Sequence, residues 1–234
     1  LYPIVVKENK IGTVQGKIKT QQKQDRSESP LRSIYSSRSV IATYIGSGLQ
    51  LFVGGTVIVW LPSYLNRYYG LGTDKAGLVA AMVVLSSAVG TILCGIICDR
   101  LGRDRPDRKV SLAIAFCLIG CVLLSIAFAM SVGNAQLIMI CIGMFIALGT
   151  NGPSSAMVAN LTHHSVHSTA FATLTLANNF LGLALGPLVI GKLSDVIGLH
   201  HAFQLMPLMS IVAAAVFFYA NRHYTHDIKK FNAQ

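Results

Sequence analysis

Six stretches of this chain stay apolar for as long as a helix needs to cross a lipid bilayer. They run Val40–Leu65, Gly77–Cys98, Val110–Met130, Gln136–Asn160, Ala170–Gly191 and Ala202–Asn221. A helix rising 1.5 Å per residue needs about 20 apolar residues to span about 30 Å of hydrocarbon. All nine acidic residues (Glu8, Asp25, Glu28, Asp74, Asp99, Asp104, Asp107, Asp195 and Asp227) lie outside these stretches. Hydrocarbon offers the backbone no hydrogen-bond partner but itself, so each stretch must close its own bonds as a helix. The expected fold class is therefore all-α integral membrane, with six transmembrane helices.

The formal net charge of +10 could suggest nucleic acid, so the position of the charges has to decide. With six spans, the N-terminal segment, the second and fourth loops and the C-terminal tail share one side. Of the 19 Lys and Arg, only Arg67, Lys75 and Lys192 fall on the other side. That asymmetry is the positive-inside bias, and it predicts that both ends of the chain are cytoplasmic, as in a multi-pass protein of the cell (inner) membrane. Nucleic-acid binding would need the basic residues clustered on a folded polar domain, and six spans leave no such domain.

Residues 1–39 read as a cytoplasmic linker, basic and rich in Gln and Ser. Its opening "LYPIVV" (1–6) reads as the tail of a preceding span, so the chain reads as the C-terminal part of a longer protein. Leu31, Ile34 and Tyr35 could form a short interfacial helix at the linker's end. Residues 40–221 are the transmembrane domain and 222–234 a cytoplasmic tail. Trp60, Tyr64, Tyr68 and Tyr69 form an expected aromatic anchor at the outer interface, and Pro62 is expected to kink or end the first span. Small residues at Ala113, Cys117, Cys121, Ser125 and Ala129, and again at Gly182 and Gly186, predict close helix contacts.

The skeleton G-x-x-x-D-x-x-G occurs twice, as "GIICDRLGR" from Gly95 and as "GKLSDVIGL" from Gly191. The first closes the second span and the second closes the fifth span on the opposite side. Spans one to three and four to six are then equivalent triplets of inverted topology, with the same turn expected at both copies. The positive-inside rule acts on the cytoplasmic copy alone, so only that one is followed by basic residues.

The first copy resembles the loop signature of the major facilitator superfamily. Gly95, Asp99, Arg100, Gly102 and Arg103 match its pattern in position, while Asp104 departs from the basic residue usual there. The resemblance implies two inverted three-helix repeats forming one half of a twelve-helix transporter. It implies a missing N-terminal six-helix half as partner, and a gating role for the five matching residues. "LQLFVGGTVIVWLPSYLNRYYGL" and "NNFLGLALGPLVIGKLSD" are similar in texture to the spinster-like subgroup. The function so implied is secondary transport of a small organic or lipid-like solute by alternating access. A non-transporting membrane sensor or assembly component with the same fold is the alternative.

The resemblance also implies a central cavity lined by polar residues at mid-membrane, and the sequence offers three faces for it. Thr43, Ser47, Gln50 and Gly54 share one stripe of the first span. "GTNGPSSA" places Asn151 at an expected helix break in the fourth, where backbone carbonyls are freed. Asn178 and Asn179 share a face of the fifth with Thr175. Gln50, Asn151 and Asn178 are the strongest candidates to meet solute or water. No Asp, Glu, Lys or Arg lies mid-span. His163, His164 and His167 lack the Cys or carboxylate that would complete a metal site, and the five cysteines read as small packing residues. No cofactor motif and no nucleophile–base constellation appears, so the chain is not expected to be an enzyme.

Overall fold

The computed structural model describes residues 37–102, 107–162 and 164–232. The expected linker up to residue 36, with its apolar opening and interfacial helix, lies outside these residues, as does Arg103. Among the described residues nine α-helices follow one another: α1 Arg38–Tyr69, α2 Thr73–Leu101, α3 Asp107–Ala129, α4 Asn134–Ala147, α5 Asn151–Leu161, α6 His167–Ala177, α7 Leu185–Ile197, α8 Leu199–Leu205 and α9 Met209–Asn232. They build six spans, with α4–α5, α6–α7 and α8–α9 each making one; no strand occurs among the described residues.

Three of the sequence-based expectations need correction. The first helix continues through Pro62 and does not end there, although the missing N–H removes one backbone bond near its end. The helix stops instead at Gly70, whose φ of +61° is the left-handed conformation that ends helices. Tyr64 is not part of a lipid-facing anchor. Trp60 covers Gly191 and donates its Nε1–H to the Pro187 carbonyl at 2.9 Å, and Tyr64 is fully buried. The two G-x-x-x-D-x-x-G turns also differ. Both final glycines donate N–H to the carbonyl four residues back at 2.9 Å, but Gly102 sits at φ −91° and Gly198 at φ +84°. Gly198 both ends α7 and precedes α8 directly, so one residue must turn the chain. Gly102 leads instead into a stretch of chain before α3.

Packing follows the inverted repeat. The first span packs on the fifth and sixth, the fourth packs on the second and third, and the third packs on the sixth. Exchanging the two triplets leaves this pattern unchanged. Burial repeats in the same way: the second and fifth spans are the most exposed, with 28% and 22% of their central windows buried. One buried cluster, around Tyr64, Phe128, Met144 and Phe203, lies toward the Tyr69 end of the first span. Another, around Val40, Val110, Met157, Phe217 and Tyr224, lies toward the Arg38 end.

Small residues set the tightest contacts. A Cβ on Gly186 would sit 2.7 Å from the Phe52 carbonyl oxygen and 2.8 Å from Thr56 Oγ1, and one on Gly182 would sit 2.8 Å from Leu51 Cβ. The small-residue stripe of the third span is buried at Ala113, Cys117 and Cys121 but is exposed again at Ala129. Four residues turn a helix about 400°, so a strict i+4 stripe drifts about 40° per step.

At the Arg38 end a carboxylate from the far end of the chain caps the first span. Asp227 Oδ2 accepts from Ser37 Oγ at 2.6 Å, Ser39 Oγ at 2.7 Å and the Ser39 backbone N–H at 3.2 Å. A helix N-terminus leaves N–H groups unpaired and carries partial positive charge, so an anion is favoured there. Partial burial pushes the Asp227 carboxyl up, but the hydrogen bonds from Ser37, Ser39 and His226 outweigh it and hold it below the ordinary carboxylate value.

Two predictions follow from these contacts. Gly186→Leu should lower stability by about 1–3 kcal/mol through overpacking, whereas Gly77→Ala, whose Cβ meets nothing within 4 Å, should be neutral or stabilising; melting of both in detergent compares them. Asp227→Ala should cost about 1 kcal/mol, as loss of a helix cap does. Because the folded carboxyl titrates low, its contribution is complete above the unfolded Asp value and vanishes as pH falls through the folded one. Wild type and Asp227→Ala should therefore differ in melting temperature at neutral pH and converge in acid.

Candidate functional site

Thr43, Ser47, Gln50 and Gly54 are all buried. Thr43 Oγ1 donates to the Ser39 carbonyl of its own helix at 2.7 Å, which satisfies the hydroxyl without a neighbour. Gln50 reaches across to the fourth span, where its Nε2 donates to the Ala147 carbonyl at 3.1 Å. That carbonyl lies at the start of a 3₁₀ turn, Leu148–Thr150, which interrupts the fourth span. The Asn151 N–H, which an α-helix would direct to Ala147, bonds the Leu148 carbonyl instead. Thr150 Oγ1 also donates to Ala147, at 3.2 Å, and Thr91 of the second span donates to Leu148 at 3.3 Å. The break lies where "GTNGPSSA" placed it. Asn151 itself is half-buried.

The fifth span carries a second irregularity, a π-helical segment at Asn178–Ala184. Widened turns of this kind are rare and recur at functional sites. Asn178 is half-buried and Asn179 exposed, with Thr175 exposed one turn earlier. At 1.5 Å per residue, Gln50 lies about 18 Å from Arg38, Asn178 about 17 Å from His167 and Ala147 about 20 Å from Asn134. All three therefore sit near the middle of their spans.

At this depth four side-chain oxygens are buried without a hydrogen-bond partner among the described residues: Ser47 Oγ, Gln50 Oε1, Asn178 Oδ1 and, on the sixth span, Ser210 Oγ. An unpaired buried polar atom costs about 1–3 kcal/mol. Gln50 is oriented by its bond to Ala147, so the free atom is an acceptor. The structure thus brings Gln50 to the fourth-span break, and leaves Asn179 on an open face of the fifth span. It closes Thr43 into its own helix.

At the Arg38 end, Asp99 pairs with Lys109 across the turn at 3.8 Å, with the carboxylate 76% exposed, so this pair adds little stability. Arg100 is exposed. Lys109 lies over Gly102, where any side chain would also meet the Cys98 carbonyl. Gly95 lies against the fourth span, where a Cβ on Gly152 would come within 3.0 Å of its Cα.

A polar network at the opposite end escaped sequence reasoning. Gln136 of the fourth span is fully buried and donates to Tyr64 Oη at 3.1 Å and to the Ala127 carbonyl at 3.0 Å, while Tyr69 Oη donates to its Oε1 at 2.6 Å. Tyr64 Oη also shares a 3.1 Å hydrogen bond with His200 Nδ1, and Gln204 donates to the Phe128 carbonyl at 3.2 Å. Four spans meet there. Two amides inside apolar stretches were the available signal, but nothing in their spacing shows which partners they find. Gln136→Met, close in size but without the amide, should cost about 1–3 kcal/mol, measured as a fall in melting temperature that Gln50→Met, which loses one hydrogen bond, does not match.

Six spans in two inverted triplets are the architecture of one half of a two-repeat membrane protein. The chain belongs to the Major Facilitator Superfamily, whose family model matches residues 43–233. A probable L-galactonate transporter of Escherichia coli (strain K12) is 29% identical over 185 residues, covering 74% of this chain and 38% of that protein. A putative glycerol-3-phosphate transporter 4 of Arabidopsis thaliana is 30% identical, covering 69% of this chain and 31% of that one. The fold is similar to a bacterial homolog of the human lysosomal transporter Spinster in an inward-facing, unoccupied conformation. The TM-score there is 0.79 at 17% identity, over 87% of this chain and 52% of that one. The chain thus spans under half the length of these relatives and about half of that solved structure.

Proposed function

We propose that this chain is the C-terminal half of a secondary transporter that moves a small hydroxylated organic solute by alternating access. The carrying observation is the mid-depth face of the fifth span. Exposed Asn179 beside Asn178 would be costly against acyl chains, while Thr175 closes its hydroxyl onto the Phe171 carbonyl at 2.9 Å, so the asparagine face suits a watered cavity shared with a second six-helix half. Ser47, Gln50 and Asn178 supply the inner wall of that cavity, with Asn151 at the fourth-span break. Gln50 Oε1 and Asn178 Oδ1 are acceptors that solute hydroxyls or water would satisfy. The relatives named for galactonate and glycerol 3-phosphate handle small hydroxylated anions, which supports this substrate class. Any counter-charge for an anion would come from the other half, since no basic residue lies mid-span here.

The turn at Asp99, Arg100 and Gly102, continuing to Arg103, serves as the gate on the cytoplasmic side. Asp99 is exposed and, among the described residues, is paired with Lys109 alone, which would let it bridge to the other half in one access state and release in the other.

The reading is tested by solute flux in proteoliposomes carrying the full-length protein. Asn179→Leu changes an exposed position and should leave melting unchanged while reducing flux about two- to tenfold, the worth of one hydrogen bond. Asp99→Asn should slow exchange without changing solute affinity. Normal flux in Asn179→Leu, Gln50→Met and Asp99→Asn together, with normal insertion, would refute the assignment.

A further inference from the structure

A groove of about 460 Å³ opens on the surface between the first and sixth spans, and none of the proposed solute-site residues lines it. Ile41, Ala42 and Ile45 line one wall and Val212, Ala215 and Val216 the other, with Arg38 and Tyr219 at its mouth. We infer that this groove binds one acyl chain of an anionic phospholipid whose phosphate is held by Arg38 and Arg222.

The walls lie on membrane-spanning helices, are apolar along their length and leave Ile41, Ile45 and Val212 exposed, which suits an acyl chain, whereas the face of the fifth span with exposed Asn179 does not. From Arg38 to Ile45 the groove runs about 10 Å along the helix, enough for the first part of an acyl chain. The mouth selects the headgroup. Arg38 is exposed at the first residue of its helix. Arg222, one turn beyond Tyr219, stacks its guanidinium over the Phe218 ring at 5.0 Å, which holds the charge at headgroup level and leaves its N–H groups to bond. A planar guanidinium matches phosphate oxygens in pairs. The acidic residue of this helix, Asp227, does not compete, because its carboxylate is engaged by Ser37 and Ser39. Basic residues flanking a cleft between spans are the arrangement that favours anionic headgroups. This inference does not depend on what the protein transports.

The test uses full-length protein reconstituted with equal phosphatidylglycerol and phosphatidylcholine, then read by native mass spectrometry for retained lipid. Wild type should retain phosphatidylglycerol in preference. Arg38→Gln and Arg222→Gln should each weaken that preference about fivefold, the effect of one basic residue near a membrane surface. Ala215→Trp, at an exposed position in the wall, should abolish retention while leaving both arginines and the melting temperature intact. Equal retention of both lipids, or an unchanged preference in all three variants, would overturn the inference. So would displacement of the lipid by soluble glycerol phosphate, which would assign the arginines to a free phosphate ester. A dimer in the spectra that is lost with Ala215→Trp would assign the groove to a second copy and overturn it equally.

Discussion

The first span is the post on which the rest of the bundle is built, and what makes it so is backbone contact. In lipid there is no hydrophobic gain from burying one apolar helix against another, so packing has to come from close approach and shared hydrogen bonds. Gly48 and Gly55 let the fifth span in, and Gly182 and Gly186 answer from the other side. A Cβ on Gly48 would meet the Ala177 carbonyl oxygen at 3.0 Å, and one on Gly182 would meet the Gly48 carbonyl oxygen at 3.1 Å. Two-thirds of the first span's central window is buried as a result, the largest share of any span. The fourth span, its equivalent in the other triplet, stands in the same relation to the second and third.

Polar satisfaction then divides the molecule by depth. At the Tyr69 end, Gln136, Tyr64 and Tyr69 bind one another and tie four spans together. At the Arg38 end, Asp227 clamps the sixth-span helix to the first, and Asn160 donates to Tyr224 at 3.1 Å between the fourth and sixth. Both ends are closed by hydrogen bonds, while the middle keeps unpaired oxygens and two interrupted helices. An unpaired acceptor at that depth costs stability, and the proposed solute site rests on that cost.

Much of this was legible in the chain, and the reasons differ by feature. The spans could be read because hydrocarbon imposes length and forbids charge, two constraints visible residue by residue. The inverted repeat could be read because a shared skeleton at Gly95 and Gly191 meets opposite charge rules. The fourth-span break could be read from Gly152 and Pro153, whose backbone chemistry is local. Tyr64 could not be placed, since an interfacial tyrosine and a buried one look alike until Gln136 and His200 arrive from other spans. The π segment was invisible because no residue type signals it. The difference between the turns at Gly102 and Gly198 depends on whether a loop follows, which the shared skeleton does not encode.

Among the candidate residues the same distinction separates what geometry can assign from what it leaves to flux measurements. Gln50 has two ends with different fates: its N–H is committed to the Ala147 carbonyl at the 3₁₀ turn, and its oxygen has no partner among the described residues. Were the residue there only to bridge two helices, Thr150 already supplies the Ala147 carbonyl with a donor from its own span. The amide would then bury a second polar atom at a net cost. A side chain that adds a redundant bond and an unpaired acceptor is poorly explained by packing. It fits the proposed site, in which a transient donor meets that oxygen and Asn179 lies exposed on the fifth span.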